Sequence, residues 1–485
     1  MNCSFAQGPY GLDPTFGING SVSTSSGVWI ARGARSVLLQ PDGKIIAGGD
    51  GNSQFAIIRY DSTGAIDSTF GVNGLSTTPI AGSGSDIWRM LLQPDGKILA
   101  TGDIYGNLGV VRFLSNGSLD TSFGTGGIAK TSLGPAWEQY TYGIALQGTK
   151  VVIAGYYSAS SADIKIILVR YTEYGLRDST FGVNGIVETR IGAISQAVDI
   201  AVLPNNKIVV AGNAVDGGIN KFVVLRYLSD GVIDSTYGTN GYTLTAINNK
   251  FSTATRLKLL SSGNLLVAGT CDSSFAAVCY LPNGALDPAF GTGGIALSQP
   301  APSKNVAYAI AELPGGKILL AGKGIYNSGN FVRYHPNGTL DSSFAINGML
   351  HHYFGYSPDG FWDMALQPDG KFIGVGAQSG TPTPFKFLIK RYTGIFPTTE
   401  VNSQYPPSQI DLFPNPVTGD GIVRIVGMDQ AHATFISVYN SHGELVSTTA
   451  KSDGFMDFSS LSDGLYFVRI VSTHRIKVIR LIKSN

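Results

Sequence analysis

Charge is scarce in this sequence. Asp, Glu, Lys and Arg make up 14% of its 485 residues, against about 25% in ordinary soluble domains, and they nearly cancel to a net charge of +1. Neutralising phosphates takes clustered Lys and Arg, so this balance argues against nucleic acid as the main partner. Cysteine is nearly missing too. Cys3, Cys271 and Cys279 are an odd number that sets no disulfide framework, and the last two flank a hairpin loop asymmetrically, so no bridge between them is expected. No apolar run approaches the roughly 18 residues that a membrane-spanning helix requires. Nucleophile-elbow, Walker, paired-cysteine and His-Glu-x-x-His motifs are all lacking, so the common signatures of hydrolases, nucleotide binders and zinc enzymes give no reading.

Glycine is plentiful, with 63 residues, and the polar surface must come from Ser, Thr, Asn, Gly and Tyr. That composition is β-rich, turn-rich and typical of exported proteins. Its order is periodic. The stretch from Leu39 to Gly74 returns in phase, and its most legible piece, Asp-x-Ser/Thr-Phe-Gly-x-x-Gly, begins at Asp13, Asp67, Asp120, Asp178, Asp234, Asp287 and Asp341. Tyr237, Ala289 and Ala345 are single departures. Successive copies lie 53 to 58 residues apart, the length of a multi-strand repeat rather than of separate domains.

Each repeat carries four strand signals. In the first, Arg35 to Gln40 ends at the tight turn Pro41-Asp42-Gly43, Lys44 to Gly48 returns, Phe55 to Tyr60 alternates apolar with polar, and a polar fourth strand follows near Leu75 to Thr78. The third strand ends in Arg followed by Tyr or Phe at Arg59, Arg112, Arg170, Arg226, Arg333 and Arg391, with Cys279 as the replacement. Four antiparallel strands repeated seven times predict an all-β chain with a seven-bladed β-propeller. The chain starts with a lone fourth-strand element, and its last unit, Phe361 to Tyr392, lacks one. Ile18 to Thr24 is therefore expected to pair beside Phe385 to Tyr392 and close the ring. A capped solenoid is the runner-up, but no capping unit is visible.

The Leu-Gln-Pro-Asp-Gly-Lys, Arg-Tyr and Asp-Ser-Thr-Phe-Gly motifs resemble the delta-60 repeat family, in an order similar to NHL-type propellers, which implies a scaffold without a settled activity. The expected division is an N-terminal segment over 1–10, a propeller over 11–392, a linker over 393–409 and a small β-sandwich over 410–485. Ser4-Phe5-Ala6-Gln7 reads either as the end of a signal peptide or as an ordinary N-terminus. Pro397, Pro406 and Pro407 mark the linker.

The last segment resembles the type A C-terminal sorting domain of the type IX secretion system. The matching residues are Phe413, Pro414, Asn415 and Pro416, a hairpin with Gly443, the Leu461 to Tyr466 stretch with Gly464 and Tyr466, and a basic final strand with Lys477, Arg480 and Lys483. This resemblance implies the secretion machinery as partner and a secreted or outer-surface location in a Gram-negative bacterium. A monomer is expected.

Most conspicuous residues have a structural reading. The repeated Asp before Ser or Thr caps its own turn, and the repeated Arg pairs with that turn or with carbonyls of the next repeat. His351 and His352 are adjacent on a strand and point to opposite faces, so no metal is expected between them. Glu312 stands where Leu39, Leu92, Leu146, Val202, Leu259 and Leu366 recur, and a register swap with Leu313 is the cheapest account. No cofactor is implied.

The informative positions are those that do not repeat. Aligned pairs at the start of each first strand are Arg35-Ser36, Trp88-Arg89, Tyr142-Gly143, Val198-Asp199, Thr255-Arg256, Tyr308-Ala309 and Trp362-Asp363. Trp88, Arg89, Tyr142, Asp199, Arg256, Tyr308, Trp362 and Asp363 are expected around one mouth of a central channel. There they would bind a glycan or protein ligand, the rival reading being that the four rings only pack between neighbouring blades. Tyr105, Tyr156, Tyr157 and Tyr326 lie in irregular loops on the same face. The competing class is an extracellular hydrolase, lactonase or lyase with Asp199, Asp363, His351 or Glu312 as acid or base.

Overall fold

The computed structural model describes residues 11–25, 33–51, 54–78, 85–134, 138–324, 328–353, 360–378 and 386–393. In the C-terminal part it describes 411–413, 422–426, 435–440, 445–450, 455–472 and 475–483. Tyr326, Pro414, Asn415, Pro416 and Gly443, the first ten residues and the proposed linker lie outside the described residues. The chain divides into two compact units, one spanning Leu12–Ile395 and the other containing the C-terminal segment from Phe396.

The larger unit is an all-β propeller. Its described residues form seven four-stranded antiparallel sheets. The only helix among them is a three-residue 3-10 turn at Pro314–Gly316. The innermost strands are Ala34–Leu39, Asp86–Leu92, Glu138–Gln147, Ser195–Val202, Ser252–Leu259, Val306–Glu312 and Phe361–Leu366. We number the sheets first to seventh by these strands. Each innermost strand touches the next, and the last touches the first, so they form a ring.

The expected closure is present. Ser21–Thr24 pairs antiparallel with Lys386–Tyr392, Ser21 opposite Lys390 and Thr24 opposite Phe387, and Leu12 bridges Tyr392. The seventh sheet is thus built from both ends of the repeat region. No edge of the ring is left without a neighbour.

The periodic motif builds one recurring joint. In the first sheet Asp67 Oδ1 accepts from Thr69 N–H at 3.1 Å and the Thr69 hydroxyl at 2.6 Å, while Arg59 Nε donates to Asp67 Oδ2 at 2.9 Å. Arg59 also donates to the Ser115 carbonyl of the second sheet at 2.8 Å, and its guanidinium lies 4.5 Å over the Phe70 ring. The third sheet repeats the device with Arg170, Asp178, Thr180 and the Ser229 carbonyl, and closure repeats it with Arg391, Asp13, Thr15 and the Ser62 carbonyl. Arginine suits the post because its planar fork serves three partners while its face stacks on a ring.

These ties hold the carboxyls in the charged form. Burial works against ionisation of Asp13, but Thr15, Lys371 and Arg391 outweigh it and bring its pKa down to about 2. The fifth sheet is the exception. Cys279 replaces Arg, Ala289 replaces Ser or Thr, and Asp287 is held by Asn264 Nδ2 at 2.8 Å with the Cys279 thiol at 3.9 Å. Cys271 and Cys279 are both free, as their spacing implies.

A second inter-sheet tie was not expected. The Tyr that closes each third strand hydrogen-bonds a hydroxyl on the outer strand of the preceding sheet: Tyr60 to Thr24 at 2.9 Å, Tyr171 to Thr131 at 2.7 Å, Tyr227 to Thr189 at 2.8 Å and Tyr280 to Thr245 at 2.8 Å. Tyr334 reaches Ser298 in the same way. Between the sixth and seventh sheets the partner is His352, whose Nδ1 lies 2.6 Å from the Tyr392 hydroxyl. In the second sheet the position is Phe113, and the opposing Thr78 hydroxyl is buried without a hydrogen bond.

The C-terminal unit is a small β-sandwich. A three-stranded sheet of Asp411–Phe413, Ile422–Val426 and Phe455–Asp457 accompanies a four-stranded one of Leu445–Ala450, Phe435–Asn440, Gly464–Ser472 and Arg475–Lys483. Its core gathers Ile436, Val438, Phe458, Val468 and Leu481. Of the residues that carry the sorting resemblance, Phe413 ends a strand, Gly464 begins one, and Lys477 sits opposite Ile470. Tyr466 is buried and donates to the Ser462 carbonyl at 2.9 Å. Lys483 is not a surface cation. It is 7% exposed, and its ammonium donates to the carbonyls of Phe458 and Ser459, each at 2.9 Å, and of Leu461, which uses all three of its donors.

Candidate functional site at the channel mouth

Every innermost strand carries a β-bulge at the same place. The register slips between Ala34 and Ser36, Ile87 and Arg89, Thr141 and Gly143, Ala197 and Asp199, Ala254 and Arg256, Ala307 and Ala309, and Phe361 and Asp363. The extra residues are Arg35, Trp88, Tyr142, Val198, Thr255, Tyr308 and Trp362. A bulge adds a residue without changing the ladder on either side, so its side chain can vary while the scaffold stays constant. That is why these positions escape the repeat.

The four aromatic residues named from the sequence are half-buried. Trp88 meets Tyr142 of the next sheet edge-on, with centroids 4.9 Å apart, and Tyr308 lies 4.5 Å from Trp362. Tyr140 and Tyr156 extend the first pair at 6.2 and 6.0 Å from Tyr142. Arg35 joins the two pairs. Its guanidinium lies 3.9 Å over Trp88 and 4.5 Å over Trp362, and Lys323 Nζ caps Trp362 at 4.6 Å. The result is an arc of rings and cations over five sheets that opens at Val198 and Thr255. Neither Arg35 nor Lys323 was singled out in the sequence. Arg35 occupies an aligned position, but nothing there tells a stacking arginine from a solvated one.

The four charged residues also come together. Arg256 Nη2 is 3.1 Å from Asp363 Oδ1 and its Nε 3.7 Å from Asp199 Oδ2, while Arg89 Nη1 is 3.6 Å from Asp363 Oδ1. Arg35 Nε pairs with Asp86 Oδ2 at 3.0 Å. Both central aspartates are buried, and burial pushes their pKa values up, that of Asp199 to about 6 against the attraction of Arg89.

The aspartates also fasten neighbouring sheets to one another. Asp363 Oδ2 accepts from the Ser36 hydroxyl and from Val37 N–H, both at 3.1 Å, and Asp199 Oδ2 accepts from Leu257 N–H at 2.9 Å. Ser36 Oγ in turn accepts from Met90 N–H at 3.1 Å. In three places, then, the residue after the bulge fastens the backbone of the following sheet. Gly143 shows the same closeness without a side chain, since a Cβ there would sit 3.0 Å from Asp199 Cα and Ile200 N.

Two other candidates are placed elsewhere. Glu312 keeps the register of its sheet, opposite Ile318 as Leu39 is opposite Ile45, so the expected swap with Leu313 does not occur. Its carboxylate instead accepts from Ser261 N–H at 2.9 and 3.1 Å and from the Ser261 hydroxyl at 2.5 Å, capping a turn of the fifth sheet. Glu has the reach and acceptors for this, and Leu does not. His351 Nδ1 lies 2.8 Å from Asn330 Oδ1, while His352 turns to Tyr392. No group of three or more metal-ligating side chains occurs among the described residues. No helix among them is long and apolar enough to cross a membrane.

Comparison with known proteins adds the following. None of the curated proteins matches the chain. Among solved structures, a catalytically inactive virginiamycin B lyase from Staphylococcus aureus with quinupristin is 12% identical, covers 76% of this chain and 98% of its own, and has a TM-score of 0.45. A protein from Lactobacillus plantarum is 12% identical over 64% of this chain and 83% of its own, with a TM-score of 0.40. PorZ of Porphyromonas gingivalis, an essential bacterial surface component of the type-IX secretion system, is 11% identical over 96% and 100%, with a TM-score of 0.16. Five stretches, 40–70, 93–123, 203–237, 260–290 and 313–344, match the family described as domain of unknown function (DUF5122) beta-propeller, and residues 411–484 match the secretion system C-terminal sorting domain. The chain thus carries β-propeller repeats of the DUF5122 type and, over residues 411–484, a secretion system C-terminal sorting domain.

Proposed function

We propose that the seven sheets are the blades of one delta-60-type propeller that works outside the cell as a binding module. The sorting domain, by its likeness to type A domains, hands it to the type IX machinery of a Gram-negative bacterium for release or attachment at the outer surface. Residues 393–409 act as the linker, and the propeller acts as a monomer. The observation that carries the binding reading is the bulge in each innermost strand: the fold repeats everything around it and leaves the bulged side chain free to differ. Five of the seven bulges hold rings or the arginine stacked between them, a surface suited to an amphipathic ligand such as a glycan or a protein segment.

An enzyme reading has one observation in its favour, the raised pKa of Asp199 beside Asp363. Both carboxylates already accept backbone N–H groups of a neighbouring sheet, however, so the geometry favours fasteners over a general acid and base. A glycan array probed with the full chain tests the binding reading. Binding that is lost in the Trp88→Ala/Trp362→Ala double variant is the expected result, and binding that survives the double variant removes the mouth as the site.

A further inference from the structure

One hairpin turn departs from the residue choice seen at its described counterparts in the fourth and fifth sheets. Ile104–Asn107 joins the second and third strands of the second sheet, closed by Asn107 N–H donating to the Ile104 carbonyl at 3.1 Å, with Tyr105 at φ 50° and Gly106 at φ 66°. Two-residue turns with positive φ at both central positions select Asn, Asp or Gly, which bear the left-handed conformation at low cost. The matching turn of the fourth sheet has Gly217 and Gly218, and that of the fifth has Asp272 at φ 57°. Tyr105 is the departure, and packing does not offset it, because the residue is 59% exposed.

The loop is held in place by polar ties instead. Gly106 N–H donates to Asp103 Oδ1 at 2.8 Å, and Asn107 Nδ2 donates to the carbonyls of Ile104 and Tyr105 at 3.2 and 2.9 Å. These bonds keep an exposed ring in a strained backbone conformation. Strain of this kind persists where the surroundings over-determine it, and such places cluster at ligand contacts.

The neighbouring side chains supply a second, independent observation. Gln139 of the third sheet donates from Nε2 to the Gly106 carbonyl, which fixes which end of the amide is which. Gln139 is 6% exposed, and its Oε1 is buried with no hydrogen bond. Buried polar atoms of this kind are rarely left unpaired, so Oε1 calls for a donor. Opposite Gln139 across the strand pair, half-buried Tyr157 packs against the apolar cluster that joins the second and third sheets, placing another ring at the same seam.

We infer that the seam between the second and third sheets is an oligosaccharide subsite, with Tyr105 as a stacking platform and Gln139 Oε1 as acceptor of a sugar hydroxyl. A pyranose ring joins an apolar C–H face to hydroxyl donors at its rim, the combination that an exposed tyrosine beside an undonated amide oxygen recognises. The inference rests on the binding-module reading and adds to it the ligand class and a contact outside the channel arc.

Calorimetric titration of the full chain with cello-, xylo-, manno- and galacto-hexaose tests it. The wild type binds at least one of the four. Tyr105→Gly weakens that binding about tenfold while raising the Tm by about 1 °C, since glycine relieves the turn. Tyr105→Trp keeps the affinity. Unchanged affinity in Tyr105→Gly, a lowered Tm in that variant, or no binding of any of the four sugars overturns the subsite. If Trp88→Ala/Trp362→Ala abolishes binding and Tyr105→Gly does not, the subsite fails and the channel-mouth reading stands. If no sugar binds but a protein ligand does, the subsite fails and the broader binding reading survives.

Discussion

Restoring one missing hydroxyl should stabilise the propeller. Phe113 is the only non-tyrosine at the end of a third strand, and the Thr78 hydroxyl that faces its position is fully buried without a partner. Thr78 N–H donates to the Phe55 carbonyl at 3.1 Å, which places Thr78 where Thr131, Thr189 and Thr245 sit in their sheets, opposite Leu108, Ile166 and Phe222. Phe113→Tyr therefore supplies a donor at a distance that four other sheets set between 2.7 and 2.9 Å.

A net intramolecular hydrogen bond contributes about 0.5–1.5 kcal/mol, and relieving an unpaired buried hydroxyl adds to it, so a gain of about 1–2 kcal/mol is expected. A unit of this size has an unfolding entropy of about 0.8 kcal/mol/K, so the Tm moves by only about 1–2 °C. The sharper assay is a urea-denaturation double-mutant cycle with Thr78→Val. In the wild-type background Thr78→Val is neutral or stabilising, because it removes an orphan. In the Phe113→Tyr background it costs about 1 kcal/mol, because it breaks a bond. A coupling energy near zero, or destabilisation by Phe113→Tyr, refutes the equivalence of the seven joints.

Three further outcomes follow from the same geometry. Arg170→Met should cost about 1.5–3 kcal/mol by removing a charge-assisted hydrogen bond from buried Asp178, which keeps Lys150 Nζ at 2.7 Å, whereas Asp287→Asn in the fifth sheet, which has no arginine to lose, should cost less, as urea midpoints would show. Burial holds the His352 pKa well below 6.5, so the unfolded chain takes up protons first as pH falls. This contribution is complete above pH 6.5 and declines below it by up to about 1.4 kcal/mol per pH unit; His352→Thr should remove it in urea titrations at pH 7 and 5.5, leaving the contribution of His351, whose pKa burial also lowers. Asp199, with its pKa raised by burial to about 6, works in the opposite sense between about pH 4 and 6, which makes the difference between variant and wild type the quantity to compare. Lys483→Met should leave three carbonyls of the 458–461 turn unpaired, and limited proteolysis of the full chain should then cut the C-terminal unit faster while the propeller resists as before.

The sequence was most legible where interactions are local. Period-two alternation, Pro-Asp-Gly turns and the Asp67 to Thr69 contact two residues apart all act within a few positions, so strands, turns and caps could be read directly. Ring closure was legible because the two deficits at the ends complement each other. The Tyr–Thr ties were not, since Tyr171 and Thr131 are 40 residues apart and neither residue type announces a partner. The bulge was invisible for a different reason: one extra residue leaves the apolar alternation intelligible on either side, so alignment marks the position without revealing the slip. Glu312 was misread because its partner, Ser261, belongs to another sheet. At the mouth, the sequence named the rings and charges that converge but missed Arg35, whose role depends on two tryptophans 53 and 327 positions away being brought to its two faces.

The pairing of Ser21–Thr24 with Lys386–Tyr392 also orders events in time. The ring's first strand waits for its last, and every intermediate length of the repeat region presents an unmatched edge at each end. Because the sorting sequence comes after that final strand, a ribosome that stalls within the repeats releases a chain with neither a finished ring nor an address. A chain long enough to include residues 411–484 therefore already contains every strand that the ring needs to close.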